Sequence, residues 1–154
     1  MNKKHPERLT PAEARNMLKD IFANAGIKLT PQRIEIFREV YGTDSHPSAE
    51  AIYDKLKQKM PTISIDTIYR TLGTLEKLGL INRVSALDRQ SRFDANTEKH
   101  HHFICTECGR ITDFYWPSFD SSSLPDELKA HGRILSRHIE VRGICTECLQ
   151  KKKK

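Results

Sequence analysis

The chain has 154 residues, of which 37% are apolar and 30% charged, and its net charge is +6. This length suits one ordinary domain or two small ones, and two lobes of this composition would need a metal ion or a dimer contact to complete their cores. No run of 18 apolar residues occurs and residues 1–14 lack the apolar stretch of a secretory signal, which excludes a membrane-spanning helix and predicts a cytoplasmic protein.

The positive charge is unevenly distributed along the chain. Residues 1–95 carry 16 Lys and Arg against 12 Asp and Glu, whereas residues 96–154 carry 10 against 8 and end in four lysines. Without those lysines the second part would be acidic. We therefore assign the basic surface to the first part, interpret the lysine run as a solvated, disordered end, and expect an anionic partner.

Four helices are predicted in the first half, each beginning at a hydroxyl-bearing cap. The caps are Thr10, Thr30, Ser48 and Ser64. Thr10 forms a capping box with Glu13, and a proline follows each of the first two caps. We expect the first helix to end near Asn24, before Gly26, and the second near Tyr41. The fourth should end just before Gly79.

The fourth helix has two different faces. Its apolar stripe, which predicts a core-facing side, comprises Ile65, Ile68, Tyr69, Leu72, Leu75 and Leu78. The opposite face carries Asp66, Thr67, Arg70, Thr71 and Thr74. Such a face is often only solvated, but an arginine can reach both base edges and phosphates. The candidate DNA contacts are Ser64, Thr67, Tyr69 and Arg70.

Two short strands follow this helix, "LINRV" at 80–84 and "QSRFDA" at 90–95, around a polar loop at 85–89. Helices followed by a hairpin in a basic half are typical of a winged helix-turn-helix. Strands within 98–108, 109–116 and 137–148, with a short helix near 125–132, predict a small α/β unit after it. The fold class is thus α+β, with a DNA-binding domain over 1–90, a hinge over 91–97 and a second domain over 98–154.

All four cysteines lie in two copies of "CTEC". Cys105, Cys108, Cys145 and Cys148 supply the four sulfurs of a closed, structural zinc site, and Gly109 can adopt the positive φ that such a turn needs. The 36 residues between the pairs exceed zinc-finger spacing, so the site would join two distant strands. A dithiol redox switch or a disulfide pair is the alternative, which a reducing cytoplasm disfavours.

Histidines and aspartates cluster beside the first cysteine pair. His100 and His102 share one face of a strand, His101 takes the other, and Asp94 and Asp113 are close in sequence. Nitrogen and carboxylate donors without sulfur favour Fe²⁺ or Mn²⁺, although imidazole also suits Zn²⁺ and Ni²⁺. An open site of this kind could also be catalytic. Because no HExxH, nucleophile elbow or glycine-rich phosphate loop accompanies it, we do not predict an enzyme.

Five motifs carry a resemblance that covers roughly residues 10–148: "HPSAEAIY", "TIYRTL", "SRFD", "HHHFICTECG" and the terminal "CTEC". In order and spacing they resemble the ferric uptake regulator (Fur) superfamily. The resemblance implies a homodimeric transcriptional repressor with an N-terminal winged helix and a C-terminal dimerisation domain. It also implies a regulatory metal site at the hinge and binding to an AT-rich palindrome in double-stranded DNA.

Within this superfamily the ligand set is most like the peroxide-responsive (PerR) branch. That likeness implies a regulatory Fe²⁺ or Mn²⁺ ion held by His46, Asp94, His100, His102 and Asp113. Iron-sensing members usually carry glutamates at the positions of Asp94 and Asp113, whereas Arg70 within "YRTL" is like the iron-sensing branch. Some members hold a second ion at the positions of His101, Asp120 and His138, although Lys99 replaces one ligand here.

The likeness to the peroxide-responsive branch therefore implies a metal-dependent repressor that senses peroxide through iron-catalysed oxidation of histidine ligands, at His46 and His100. One alternative is a plain iron sensor. The other is of a different class, a zinc-stabilised interaction protein that binds no DNA.

Overall fold

The structure, a computed structural model, describes residues 7–85 and 90–152. The chain divides into two compact units, of which the first ends at Thr97 and the second begins at Glu98. No helix within the described residues is both long enough and apolar enough to cross a membrane.

The first unit contains four helices and a two-stranded hairpin. The helices are α1 (Pro11–Asn24), α2 (Pro31–Tyr41), α3 (Ala49–Leu56) and α4 (Ile65–Lys77), and the strands are β1 (Asn82–Ser85) and β2 (Ser91–Asp94). Each predicted cap accepts a hydrogen bond from the backbone N–H three residues later, and the capping box of Thr10 and Glu13 is complete. Gly26 and Gly79 follow α1 and α4 with φ of 68° and 69°, a left-handed conformation that ends a helix at little cost for glycine.

β1 and β2 pair antiparallel, and the side chain of Phe93 packs this hairpin against the helices. Phe93 of β2 is 1% exposed and packs in the same apolar cluster as Phe22 and Phe37, while its backbone N–H donates to the Pro47 carbonyl over 3.1 Å. Burying a phenylalanine contributes roughly 1.5–3 kcal/mol. The hairpin is thus anchored to the helical core. Its strand β2 covers the first four residues of the predicted hinge, and residues 86–89 of the predicted polar loop lie outside the described residues.

The buried face of α4 differs from the predicted stripe by a small rotation. Ile68, Leu72 and Leu75 are fully buried as predicted, but Tyr69 is 48% exposed and Thr71 is only 2% exposed. At 100° per residue, Thr71 falls beside Ile68 and Leu75, whereas Tyr69 falls beyond Leu72 at the edge of the buried arc. The prediction that Tyr69, together with Ile65, faces the core was therefore wrong, as was the exposed position given to Thr71.

The second unit is a three-stranded sheet with short helices. The strands β3 (His101–Cys105), β4 (Ile111–Phe114) and β5 (Glu140–Gly143) lie in the order β4-β3-β5, with β4 antiparallel and β5 parallel to β3. The helices are α5 (Pro117–Ser121), α6 (Asp126–Ala130) and α7 (Thr146–Lys152). Only α6 was predicted. The lysine run was expected to be disordered, but Lys151 and Lys152 belong to the last turn of α7, where their charges suit the helix dipole.

The apolar core of the second unit is small. Among its described residues, only Ile104, Cys105 and Ile111 are buried members of the core, whereas Trp116, Val141 and Leu149 are each more than a third exposed and Leu135 is 84% exposed. So few buried side chains cannot offset the conformational entropy lost on folding. The unit therefore needs a further source of stability.

Candidate metal centres and DNA-binding helix

The four cysteine sulfurs converge at one end of the sheet in the second unit. They all lie within 4.8 Å of one another, and the Sγ atoms of Cys108 and Cys145 are 3.9 Å apart. A tetrahedral zinc ion with Zn–S bonds of about 2.3 Å holds its sulfurs about 3.8 Å apart. All four cysteines are free thiols, far outside disulfide bonding distance. The cluster fits a structural zinc site.

The strand register explains why two distant cysteine pairs meet. Cys105 ends β3 directly beside Gly143, which ends β5, and Cys145 follows two residues later. The backbone N–H of Cys145 donates to Cys105 Sγ over 3.3 Å, and Gly109 takes the predicted positive φ, 71°. The parallel pairing of β3 with β5 thereby places both turns at the same edge of the sheet.

The thiols of this cluster differ in acidity. Hydrogen bonds from the backbone N–H groups of Cys108 and Cys145 lower the pKa of Cys105 to about 6, while the neighbouring Cys145 thiol raises the pKa of Cys148 to about 12. Backbone dipoles favour the first thiolate, and the crowding of sulfurs opposes the last. Ionisation of Cys148 at neutral pH therefore needs a nearby cation, and a zinc ion bound by thiolates would provide one.

Two ion pairs connect the cysteine turns across the cluster. Arg110, just after the first pair, donates to both carboxylate oxygens of Glu147 over 2.6 and 2.7 Å. Lys152 of α7 lies 2.8 Å from Glu107. The middle glutamate of each "CTEC" thus binds a cation that belongs to the opposite turn. We call these four residues the charge clasp.

In the first unit, one histidine and one aspartate form a buried pair. His46 Nε2 and Asp94 Oδ2 are 3.7 Å apart, and each side chain is 1% exposed. Asp94 Oδ1 also accepts a hydrogen bond from the Asn96 backbone over 2.7 Å. Two ligand atoms bound to one ion at about 2.1 Å lie between about 3.0 Å apart at a right angle and about 4.2 Å apart on opposite sides. The pair has the spacing of two ligands of one ion.

An unusual backbone conformation at His46 positions its imidazole ring. Its φ is 49°, a left-handed conformation that costs a residue other than glycine about 1–2 kcal/mol, and it precedes Pro47. In this conformation His46 Nδ1 lies 2.9 Å from the carbonyl oxygen of Asp44. Because a carbonyl can only accept, Nδ1 carries the proton, and Nε2 keeps the lone pair that a metal ion needs.

In the second unit, two histidines and one aspartate form a comparable group. The Nε2 atoms of His100 and His102 are 3.0 Å apart, and they lie 3.8 and 3.5 Å from Asp113 Oδ1. All three distances fall in the range expected for ligands of one ion. His100 Nδ1 lies 2.7 Å from the carbonyl oxygen of Glu98, so the proton is on Nδ1 and the ring lone pair is on Nε2. His100 lies just before β3 and not on it, but its ring contacts that of His102, with centroids 4.7 Å apart, which agrees with the predicted placement on one side.

The three residues assigned to a second ion behave differently from one another. His101 is fully buried and its Nε2 lies 3.5 Å from Asp120 Oδ1. His138 is exposed and does not form a group of three ligand atoms with them. Burial lowers the pKa of His101, so the ring is neutral at physiological pH. Lys99 Nζ lies 3.1 Å from the same Asp120 oxygen.

The candidate DNA contacts lie on or next to α4. Arg70 is 81% exposed and pairs with Asp66 one turn earlier over 2.9 Å. The hydroxyls of Ser64 and Thr67 lie 2.9 Å apart at the helix start, where Ser64 caps the helix. The Tyr69 hydroxyl donates to Glu50 of α3 and lowers the pKa of that carboxyl. All four candidate side chains are therefore at least partly exposed on one element of the first unit.

Several contributors to these sites had no signal in the sequence. The carbonyls of Asp44 and Glu98, which set the two histidine tautomers, are backbone groups that any residue carries. Glu147 lies 37 residues from Arg110, and the only hint of their pairing was that each neighbours a cysteine pair.

Comparison with known proteins identifies the family. The sequence profile of the Ferric uptake regulator family matches residues 24–141. The peroxide-responsive repressor PerR of Staphylococcus epidermidis (strain ATCC 12228 / FDA PCI 1200) is 38% identical over 124 residues, which cover 80% of this chain and 83% of that protein.

Two solved structures resemble the whole chain. The Helicobacter pylori ferric uptake regulator Fur, described as having three functional metal binding sites, superimposes with a TM-score of 0.76 at 27% identity, covering 94% of this chain and 97% of that one. A zinc uptake regulator complexed with zinc and DNA has a TM-score of 0.66 at 25% identity, covering 95% and 99%. Together with the profile match, they show that this chain belongs to the ferric uptake regulator family of metal-responsive, DNA-binding and dimeric transcriptional repressors, and not to a family of enzymes.

Proposed function

We propose that this chain is a metal-dependent transcriptional repressor that senses peroxide through oxidation of histidine ligands. The observation that carries the proposal is the donor set. His46 and His100 each have Nδ1–H fixed on a carbonyl and Nε2 facing an aspartate. Imidazole and carboxylate without sulfur suit Fe²⁺ and Mn²⁺. The 38% sequence identity with a peroxide-responsive repressor over 124 residues supports the same assignment.

The regulatory ion would take ligands from both units. We assign its ligands to His46, Asp94, His100, His102 and Asp113, as the likeness to the peroxide-responsive branch implies. Since His46 and Asp94 belong to the first unit and the others to the second, ion binding restricts the orientations that the two units can take. Metal affinity then becomes DNA affinity by thermodynamic linkage. The cysteine cluster would hold a separate, structural zinc ion.

DNA recognition is assigned to α4 of a homodimer. Exposed apolar side chains in the second unit, Val141 and Leu135 among them, support a subunit contact there because monomers rarely leave such surface in water. A two-fold dimer reads a palindrome when its recognition helices lie about 34 Å apart. We place the protein in the cytoplasm, with an AT-rich palindromic operator as its partner.

Fe²⁺ held by these ligands would lend one electron to peroxide and regain it when the ring product forms, so that the imidazole would supply both electrons overall. Overall, one oxygen atom of H₂O₂ forms a bond to a ring carbon of His46 or His100, and the other leaves as water after taking up the displaced ring hydrogen. The oxidised ring loses the lone pair that Nε2 offered, so the histidine ceases to be a ligand. The restriction on the two units is then lost and DNA is released.

A gel shift on an AT-rich palindromic duplex tests this function. The zinc-loaded dimer should bind with either Fe²⁺ or Mn²⁺, lose affinity as salt rises, and be released by peroxide only in the Fe²⁺ form. His46→Ala should abolish metal-dependent binding, whereas His131→Ala, which removes an exposed histidine, should not. Binding that survives peroxide in the Fe²⁺ form would identify an iron sensor, and no binding to any duplex would leave a zinc-stabilised interaction protein.

A further inference from the structure

Two neighbouring histidines, His100 just before β3 and His101 at its first position, use their Nδ1 atoms in opposite ways. His100 Nδ1 faces a carbonyl and must carry the proton. His101 Nδ1 instead receives the backbone N–H of Ile139 over 3.1 Å. Because a backbone N–H can only donate, His101 Nδ1 holds a lone pair, and the ring proton sits on Nε2.

The proton on His101 Nε2 points toward Asp120, 3.5 Å away. A metal ion at Nε2 would require the proton to move to Nδ1. The protonated Nδ1 could then no longer accept the hydrogen bond from the Ile139 N–H, and two donor groups would face each other. That hydrogen bond lies just before β5, beside the bond from His102 N–H to the Ile139 carbonyl. The ring is fully buried with Phe114 and Phe119 at centroid distances of 5.3 and 5.4 Å, so a change in its orientation would disturb this packing. His101 therefore presents the Nε2 proton, and not a lone pair, toward Asp120.

Positive charge at Asp120 is already supplied by the chain itself. The ammonium of Lys99 lies 3.1 Å from Asp120 Oδ1, the same oxygen that His101 faces. Arg137 donates to the backbone carbonyls of Asp120 and Ser122, and its guanidinium lies 5.3 Å from the Phe119 ring centroid. An incoming divalent cation would meet a fixed ammonium, a protonated ring nitrogen and one carboxylate.

We propose that the Lys99 ammonium stands in place of a metal ion beside Asp120, with the Nε2 proton of His101 facing the same carboxylate, so that no ion binds there. Three functional metal binding sites are described for the Helicobacter pylori protein, whereas this proposal gives the present chain two. The contact between Lys99 and Asp120 holds α5 against the residues just before β3 at any metal concentration. Each chain then carries the cysteine-bound ion and a single regulatory ion. The inference does not depend on whether that ion senses peroxide.

Metal counting and ring ¹⁵N NMR on the full-length, zinc-loaded dimer test this directly. With excess Zn²⁺ as the diamagnetic probe, wild type and Asp120→Asn should both retain two ions per chain. His101 should keep its proton on Nε2 throughout. A third ion that Asp120→Asn removes, or a proton on His101 Nδ1 after metal addition, would overturn the proposal.

Thermal unfolding tests the role of Lys99. Lys99→Ala should lower the midpoint temperature of unfolding by about 2–4 °C. The decrease should be the same with and without saturating Mn²⁺, and Lys99→Arg should restore the wild-type midpoint. Lys129→Ala, which removes a lysine 2.7 Å from Asp126 in the same unit, serves as the matched control and should change little. A Lys99→Ala midpoint equal to the control, or one that Mn²⁺ returns to the wild-type value, would contradict the assignment.

Discussion

The guanidinium of Arg70 is held 2.9 Å from the Asp66 carboxylate, one turn earlier on the exposed face of α4. The pair extends the arginine along the helix surface, and at such exposure it contributes little to stability. A DNA phosphate or a guanine edge can therefore replace Asp66 as the partner of Arg70.

Arg70→Ala should weaken operator binding by roughly 1–3 kcal/mol if the arginine reads a base, or reduce the salt slope by about one unit if it contacts a phosphate. Fluorescence anisotropy at several salt concentrations measures both. Lys57→Ala is the control, because Lys57 is likewise an exposed cation paired with a nearby carboxylate, Asp54, but lies after α3. If Arg70→Ala and Lys57→Ala behave alike, Arg70 does not contact DNA.

Removing one cysteine should disrupt the second unit as a whole. In Cys105→Ser we expect the loss of one zinc ion per chain, together with unfolding or monomerisation of this unit, because its small apolar core leaves the metal as a major source of folding free energy. Zinc analysis and analytical ultracentrifugation report the two effects. A folded, dimeric and zinc-free Cys105→Ser protein would refute the structural role.

The charge clasp should slow zinc release without being essential for folding. Arg110→Ala removes the two hydrogen bonds to Glu147, so α7 is held less firmly against the first cysteine turn. We expect zinc transfer to a chelator to become several-fold faster, while zinc content at equilibrium stays at one ion. Arg142→Ala is the matched control, since Arg142 pairs with Glu140 in the same unit but not across the cysteines. Equal zinc-transfer rates for the two variants would show that the charge clasp does not slow zinc release.

Most of the first unit was predictable because its signals are local. A hydroxyl cap such as Thr10 or Ser64 and a glycine after the last turn act within one turn of the helix, so the sequence carries them directly. Which side chains of α4 are buried is not determined by local sequence. It depends on which neighbours the helix packs against, and for this reason Tyr69 and Thr71 were placed on the wrong faces.

The candidate sites divide in the same way. The cysteine spacing can be recognised in the sequence and predicts the zinc site. The hydrogen-bond partners of the histidine ring nitrogens cannot be predicted in this way. His46, His100 and His101 are the same residue type, yet a carbonyl or an N–H at Nδ1 decides whether Nε2 can ligate a metal ion. Only the backbone geometry, including the left-handed φ of His46, provides that information. The short helices α5 and α7 escaped prediction because helices of this length depend on tertiary contacts.

Mass spectrometry after peroxide treatment tests the central claim most directly. The zinc-loaded dimer is prepared in parallel with Fe²⁺ and with Mn²⁺, exposed to the same dose of H₂O₂, and digested. We predict one added oxygen, about +16 Da, on peptides that contain His46 or His100, and only in the Fe²⁺ form, because Mn²⁺ reduces peroxide far less readily. Peptides containing His131 provide the internal control and should be unchanged. Oxidation confined to the four cysteines, or equal oxidation with Fe²⁺ and Mn²⁺, would contradict sensing through the histidine ligands.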